Sequence, residues 1–227
     1  MRFCVWDEVR SIQVPEWVND LESFRRWSDD DAFPEHGRIA YLRGEVFIDM
    51  GKEQLFSHNQ LKHEIGFVLA GIIRNNRLGR FFPDGSFLSN EEADVSNQPD
   101  GMFVSTEAFR TGRVRIIEGR TSGHVELEGS PEMVLEIIST SSLVKDSVVL
   151  RDAYFVAGVQ EYWLVDARDV PLRFDLLRRG KNGFVAIRKR LGWTRSAVFA
   201  HDFRLSRSEG ADGYPAFTLE ARPVVAR

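Results

Sequence analysis

Two periods of apolar residues alternate along this chain, and the places where one gives way to the other mark out its elements. Residues 15 to 28, "PEWVNDLESFRRWS", carry a helical pattern that the acidic turn "DDDAFPEHG" ends. In "RIAYLRGEVFIDM" two β-like runs flank Arg43-Gly44, which predicts a hairpin. The clearest helix spans 55–76, where Leu61, Ile65, Val68, Leu69 and Ile72 recur every three or four residues and Gly79 stands as its stop. Short strands are predicted around 80–89, 100–105, 113–117, 124–128 and 132–138. "KDSVVLRDAYFVAG" predicts a second helix, capped by Asp146 or Ser147 and ended by Gly158. "EYWLVDA", "LRFDLL" and "FVAIRKR" then open a strand-rich last third.

Helix, strand meander, helix and further strands predict an α/β (or α+β) fold, with a central mixed β-sheet flanked by helices. No internal repeat, low-complexity tract or linker divides the chain, so residues 1–227 are expected to form a single domain. Its core covers about 38–168, and a strand-rich basic part covers 169–227.

Composition narrows the classes. With 43% hydrophobic and 28% charged residues the chain reads as an ordinary water-soluble protein. No apolar run approaches the roughly 20 residues of a membrane span, and "MRFCVWDEVR" lacks the apolar core of a signal peptide. A cytoplasmic protein with no membrane partner is expected. Cys4 is the only cysteine, which excludes a disulfide framework and a thiolate metal cluster. The net charge of -4 does not mark a nucleic-acid binder, but its distribution is uneven. Residues 168–207 hold eleven Lys and Arg against three Asp, a local excess of +8, which leaves -12 for the remainder. Arg173, Arg178, Arg179, Lys181, Arg188, Lys189 and Arg190 thus form either a track for a polyanion or a solvated basic hairpin.

Candidate chemistry begins in "SPEMVLEIIST", where Glu136 interrupts an apolar strand. An ionised carboxylate there needs a cationic partner, because burying it unpaired is costly. Asp100 follows Pro99 and opens a second strand, where proline is tolerated. If the two strands are neighbours, Asp100 and Glu136 converge on one cation, and oxygen ligands of this kind favour Mg²⁺ or Mn²⁺. The competing readings are a turn residue for Asp100 and a structural ion pair for Glu136. Glu45, after the hairpin turn, and His58, on the apolar face at the start of the long helix, are additional candidates; His58 also reads as a core histidine satisfied by a carboxylate. Lys145 and Arg151 supply positive charge. A lysine beside a metal-bound water can orient it and offset an incoming phosphate.

"QPDGMFVS", "PEMVLEIIST" and "KDSVVLRDAYFVAGVQEYWLVDAR", with "RGEVFIDM" upstream, resemble the Uma2 (DUF820) family. That family consists of restriction-endonuclease-like proteins of the PD-(D/E)XK nuclease superfamily. The resemblance covers about residues 38–168. It implies a restriction-endonuclease-like core and a Mg²⁺-dependent (or Mn²⁺-dependent) endonuclease acting on DNA, with Asp100 and Glu136 as metal carboxylates and Glu45 and His58 where the family often has further site residues. The catalytic role of Lys145 is read from its charge and place, not from the family's motif. A homodimer follows from the same analogy. The alternative is an inactive nucleic-acid-binding or protein-interaction module on the same fold. Two departures stand out: Ile138 replaces the lysine of a D/E-x-K motif, and Leu150 lies where the family commonly has one. Lys145 then reads as a relocated lysine, or Arg151 as its partial replacement.

Overall fold

The computed structural model describes residues 12–120, 123–140 and 142–224. Helix α1 is Leu21–Ser28, shorter than the sequence pattern predicts. Asp20 takes an extended conformation and accepts the N–H of Ser23 at 2.7 Å, so the helix starts after it and "PEW" remains a turn. Strands β1 (Arg38–Leu42) and β2 (Glu45–Asp49) form the predicted hairpin. Arg43 and Gly44 both have positive φ, the geometry of a two-residue turn matched to the strand twist.

A π-helical turn, Leu55–Gln60, leads into helix α2, Leu61–Asn76. The left-handed Arg77, not Gly79, ends that helix. Gly79 instead opens β3 (Gly79–Pro83), where a Cβ would lie 2.1 Å from the Val104 carbonyl oxygen. Next come β4 (Phe87–Asn90), β5 (Val95–Asn97), β6 (Gly101–Ser105), a short helix α3 (Thr106–Arg110), β7 (Val114–Glu118), β8 (His124–Gly129) and β9 (Met133–Ile137). The second predicted helix is a π turn, Lys145–Val149, continued by α4, Leu150–Val156. Helical turn already begins at residue 143, so Asp146 sits inside the helix and caps nothing. Gly158 does follow the helix end, with φ 85°. Strands β10 (Glu161–Asp166), β11 (Arg173–Arg179), β12 (Phe184–Ala186), β13 (Thr194–Ser196), β14 (His201–Glu209) and β15 (Pro215–Pro223) complete the chain.

A mixed sheet occurs twice. The N-terminal sheet has the order β2-β1-β5-β4-β8-β7, and the central sheet the order β12-β11-β10-β9-β6-β3. In the central sheet β9 runs parallel to β10, which the intervening helix makes possible, and antiparallel to β6. Side chains alternate across each strand and divide the core into layers. Met133, Leu135 and Ile137 pack with Leu61, Ile65 and Leu69 of α2. Val134 packs the other way, with Leu150, Ala153 and Tyr154 of α4 and with Leu42, Leu88 and Val95 of the N-terminal sheet. Glu136 shares the parity of Val134 and so points between the two sheets. In β1, Ile39 and Tyr41 meet Phe24 and Trp27 of α1, whereas Ala40 and Leu42 face inward. Arg38 has the inward parity too.

The strand-rich C-terminal extension forms a third sheet, β13-β14-β15, whose Phe203 and Leu219 cover the α2 side of the core. It is tied down by polar contacts as well. The buried Glu161 carboxylate of β10 accepts the Ser196 hydroxyl at 2.7 Å and the Ala197 N–H at 2.6 Å, besides the Trp163 indole at 3.0 Å.

Candidate metal-binding site

The site forms where the β6–β9 ladder runs out. Gly101 pairs with Leu135, so Asp100 and Glu136 are the next two residues along the opposed strands. Beyond the last pair the backbone of Ile137 has lost its partner on the β6 side, though it still pairs with Val165 of β10, and side chains take over. Asp100 Oδ2 accepts the Ile137 N–H at 2.7 Å, and His58 Nε2 lies 3.0 Å from the Ile137 carbonyl oxygen. That carbonyl only accepts, so in the neutral ring Nε2 carries the hydrogen and Nδ1 keeps a lone pair. Nδ1 is buried, makes no hydrogen bond among the described residues, and faces Glu53 Oε2 at 3.5 Å.

Ligand atoms of Glu53, His58 and Asp100 all lie within 4.8 Å of one another, a cluster able to hold a divalent cation. The donor set fits such a group. A histidine anchored through one nitrogen to a backbone carbonyl presents the other to a metal, as ligating histidines commonly do. Two carboxylates with one imidazole suit a first-row ion such as Mn²⁺, whereas an all-oxygen set built on Asp100 and Glu136 suits Mg²⁺. Arg38 and Lys62 surround the acids. Arg38 Nη2 donates to Asp100 Oδ1 at 3.0 Å, to Asp84 at 3.2 Å and to Glu53. Lys62 Nζ donates to Glu53 at 2.9 Å and Asp84 at 2.6 Å. Burial works against ionisation of Glu53, but Lys62 and Arg38 hold it below the usual carboxylate range.

Glu136 is enclosed differently. Tyr154 donates its hydroxyl to Oε1 at 2.6 Å and accepts the Asn97 amide at 2.8 Å. Burial pushes the Glu136 carboxyl up to about 8; the negative charges of Asp146 and Asp100 add to this, and Lys145 opposes it. Lys145 lies 2.8 Å from Asp146. Burial disfavours its charge, but Glu136, Asp146 and Asp100 together hold the ammonium above its ordinary range. Arg38, Asp49, Asn97, Gln98, Ser142 and Lys145 line a cleft of about 250 Å³ that opens between the hairpin and the start of the second helix.

The match to known families decides the lineage. The Uma2 family, described as "Putative restriction endonuclease", matches residues 21–207. The chain belongs to the Uma2 family. A crystal structure of a "putative nuclease belonging to DUF820" from Anabaena variabilis ATCC 29413 superposes with a TM-score of 0.55 at 16% identity. The alignment covers 80% of this chain and 90% of that one, and it supports a shared nuclease-like fold. No curated protein matches this chain.

The Uma2 fold distributes the other sequence-predicted residues unevenly. Glu45 opens β2, exposed, opposite Leu42 at the turn end of the hairpin. Arg38 pairs with Asp49 at the other end, roughly 13 Å away along the strand, so Glu45 is not brought to the cluster. Arg151 donates to the Phe184 carbonyl at 2.8 Å, at the edge strand β12. Leu150 is fully buried in the core. Arg178 pairs with Glu161 and through it with Met133, whereas Glu136 aligns with Leu164 and Asp175. Arg178, Arg179 and Lys181 therefore lie toward the strand ends away from Asp100. Arg179 stacks over Phe155 at 4.2 Å. Arg188, Lys189 and Arg190 return toward the Asp175 end, where Lys189 meets Asp175 at 3.2 Å. Arg173 meets the same carboxylate at 3.7 Å.

Sequence reasoning missed Glu53, Asp84, Arg38 and Lys62. Lys62 follows His58 by four residues, a spacing that places both on one helical face and that marks it beforehand. Asp84 in "FPDGSF" carries only a turn signature, and Glu53 sits in a loop without periodicity.

Proposed function

We propose that this protein is a divalent-metal-dependent endonuclease that hydrolyses DNA phosphodiester bonds, with Mg²⁺ or Mn²⁺ as its ion. The observation that carries this reading is the seat of Asp100. Its carboxylate is buried at a strand end, oriented by the Ile137 N–H, and within ligand distance of His58 and Glu53. Asp100, with Glu136 beside it and His58 and Glu53 completing the set, would hold the ion. When bound, the ion supplies Lewis-acid stabilisation of the phosphoryl oxygens and lowers the pKa of water. Lys145 sits on the cleft wall under the influence of Glu136 and Asp100, where its ammonium can orient the attacking water and face the phosphate. Tyr154 fixes the Glu136 carboxyl.

Two observations favour a second reading, an inactive nucleic-acid-binding module. Arg38 and Lys62 already pair with Glu53, Asp84 and Asp100, and Leu150 fills the place of the family's usual lysine. Incubation of the full chain with plasmid DNA in Mg²⁺ or Mn²⁺ separates the two. Nicked or linear product that disappears with a chelator and in Asp100→Asn supports the nuclease. DNA retained in a gel shift without cleavage in either ion supports the binding module.

A further inference from the structure

Glu53, Asp84 and Asp100 are not bare charges. A single nitrogen of Arg38 bridges all three, and Lys62 Nζ lies 2.9, 2.6 and 3.7 Å from them. Three carboxylates against two cations leave one negative charge. A divalent ion held by Glu53 and Asp100 turns this to one positive charge, and one phosphodiester brings it back to zero. The two resident cations differ in freedom. Lys62 is enclosed on α2, with 11% of its side chain exposed; Arg38 is 29% exposed and stands on the cleft wall with Lys145. The unpartnered His58 Nδ1, aimed at Glu53, points independently to a ligand that the two cations do not replace.

We propose that Arg38 is an exchangeable counter-ion: it bridges the acidic ligands while no metal is bound, yields them to a divalent cation, and turns into the cleft to pair with a phosphodiester. This rests on the nuclease reading of the site. A guanidinium suits both duties, since its planar fork bonds carboxylate and phosphate alike. Its consequence is coupling: the metal frees Arg38 for the phosphodiester, and the phosphodiester keeps Arg38 off the metal ligands. Such coupling is reciprocal, and typical values are about 5–150-fold.

The test is Mn²⁺ titration of the full chain, followed by the paramagnetic resonance of free Mn²⁺, with and without a short phosphorothioate DNA duplex. The wild-type protein is expected to bind Mn²⁺ about tenfold more tightly when the duplex is present. Arg38→Gln is expected to bind Mn²⁺ about tenfold more tightly than wild type without duplex, and to gain little from its addition. Equal or weaker Mn²⁺ binding by Arg38→Gln overturns the proposal and makes Arg38 a fixed structural ion pair. Asp100→Asn keeps the two failures apart. If it abolishes Mn²⁺ binding while Arg38→Gln does not tighten it, only the exchange fails; if it leaves Mn²⁺ binding intact, the metal site itself fails. Should Arg38→Gln prove unfolded by circular dichroism, Arg38→Lys decides. A lysine lacks the planar guanidinium fork and holds the carboxylates differently, so tightening supports the exchange and its absence overturns it.

Discussion

Tyr154 donates its hydroxyl to Glu136 at 2.6 Å, and the same oxygen accepts the Asn97 amide at 2.8 Å. All three side chains are buried, so the phenol satisfies two polar groups that water does not reach. Tyr154→Phe strands both. It is expected to cost about 1–3 kcal/mol, the usual penalty for leaving a buried polar group unmade, measured as a lower urea midpoint with an unchanged slope.

The raised Glu136 carboxyl makes a pH prediction with a definite sign. Its folded value of about 8 lies above its ordinary 4.5, so the folded state binds the extra proton. The stability that this confers is full below about pH 4.5 and is lost as pH rises through about 8. In metal-free buffer, Glu136→Gln should flatten the fall in melting temperature across that window. An unchanged profile would show that Glu136 ionises without cost.

Lys145→Ala is expected to slow metal-dependent plasmid cleavage by about 10²–10⁴-fold while Mn²⁺ affinity changes little, as for loss of a positioned catalytic group. Lys145→Arg should rescue poorly, because a guanidinium is neither a compact point charge nor a proton donor at neutral pH. Full activity in Lys145→Ala would remove the residue from the mechanism.

The basic stretch separates into two halves that DNA should distinguish. Arg188 and Lys189 approach the Asp175 end of the sheet, which aligns with Glu136, whereas Arg178 and Lys181 lie toward the other end. The double variant Arg188→Glu, Lys189→Glu should flatten the salt dependence of DNA binding more than Arg178→Glu, Lys181→Glu does, since each lost phosphate contact lowers the slope by about 0.9. Equal effects would indicate a track running past both ends.

Gly79→Ala is expected to destabilise the fold by about 2–4 kcal/mol, combining backbone strain with overpacking, because the new methyl would meet the Val104 carbonyl at 2.1 Å. Thermal melting checks it. This glycine also shows where the sequence was ambiguous. A glycine after a helical pattern reads as a stop, but the close approach of β3 to β6 is a tertiary fact with no local signature.

The elements legible beforehand are those whose period one buried face dictates. α2 and β9 show their apolar rows directly, and Glu136 stands out because it breaks one. β5 did not show, since its Ser96 and Asn97 are buried polar residues in a polar stretch without alternation. The candidate site was legible in the same measure. Asp100 and His58 stand just ahead of strongly patterned elements, β6 and α2, while Arg38 joins them only through the inward face of a different sheet, and no spacing along the chain encodes that meeting.

Glu161 sets a limit on how this chain can be shortened. Its donors Ser196 and Ala197 lie in the last fifth of the sequence, while its own strand lies beside β9. A fragment cut after residue 190 would keep the acid, lose those donors and uncover the apolar core face against which Phe203 and Leu219 pack. The sheet that looks like an appendage therefore completes the core, and the smallest workable unit extends well past the strands that carry the candidate chemistry.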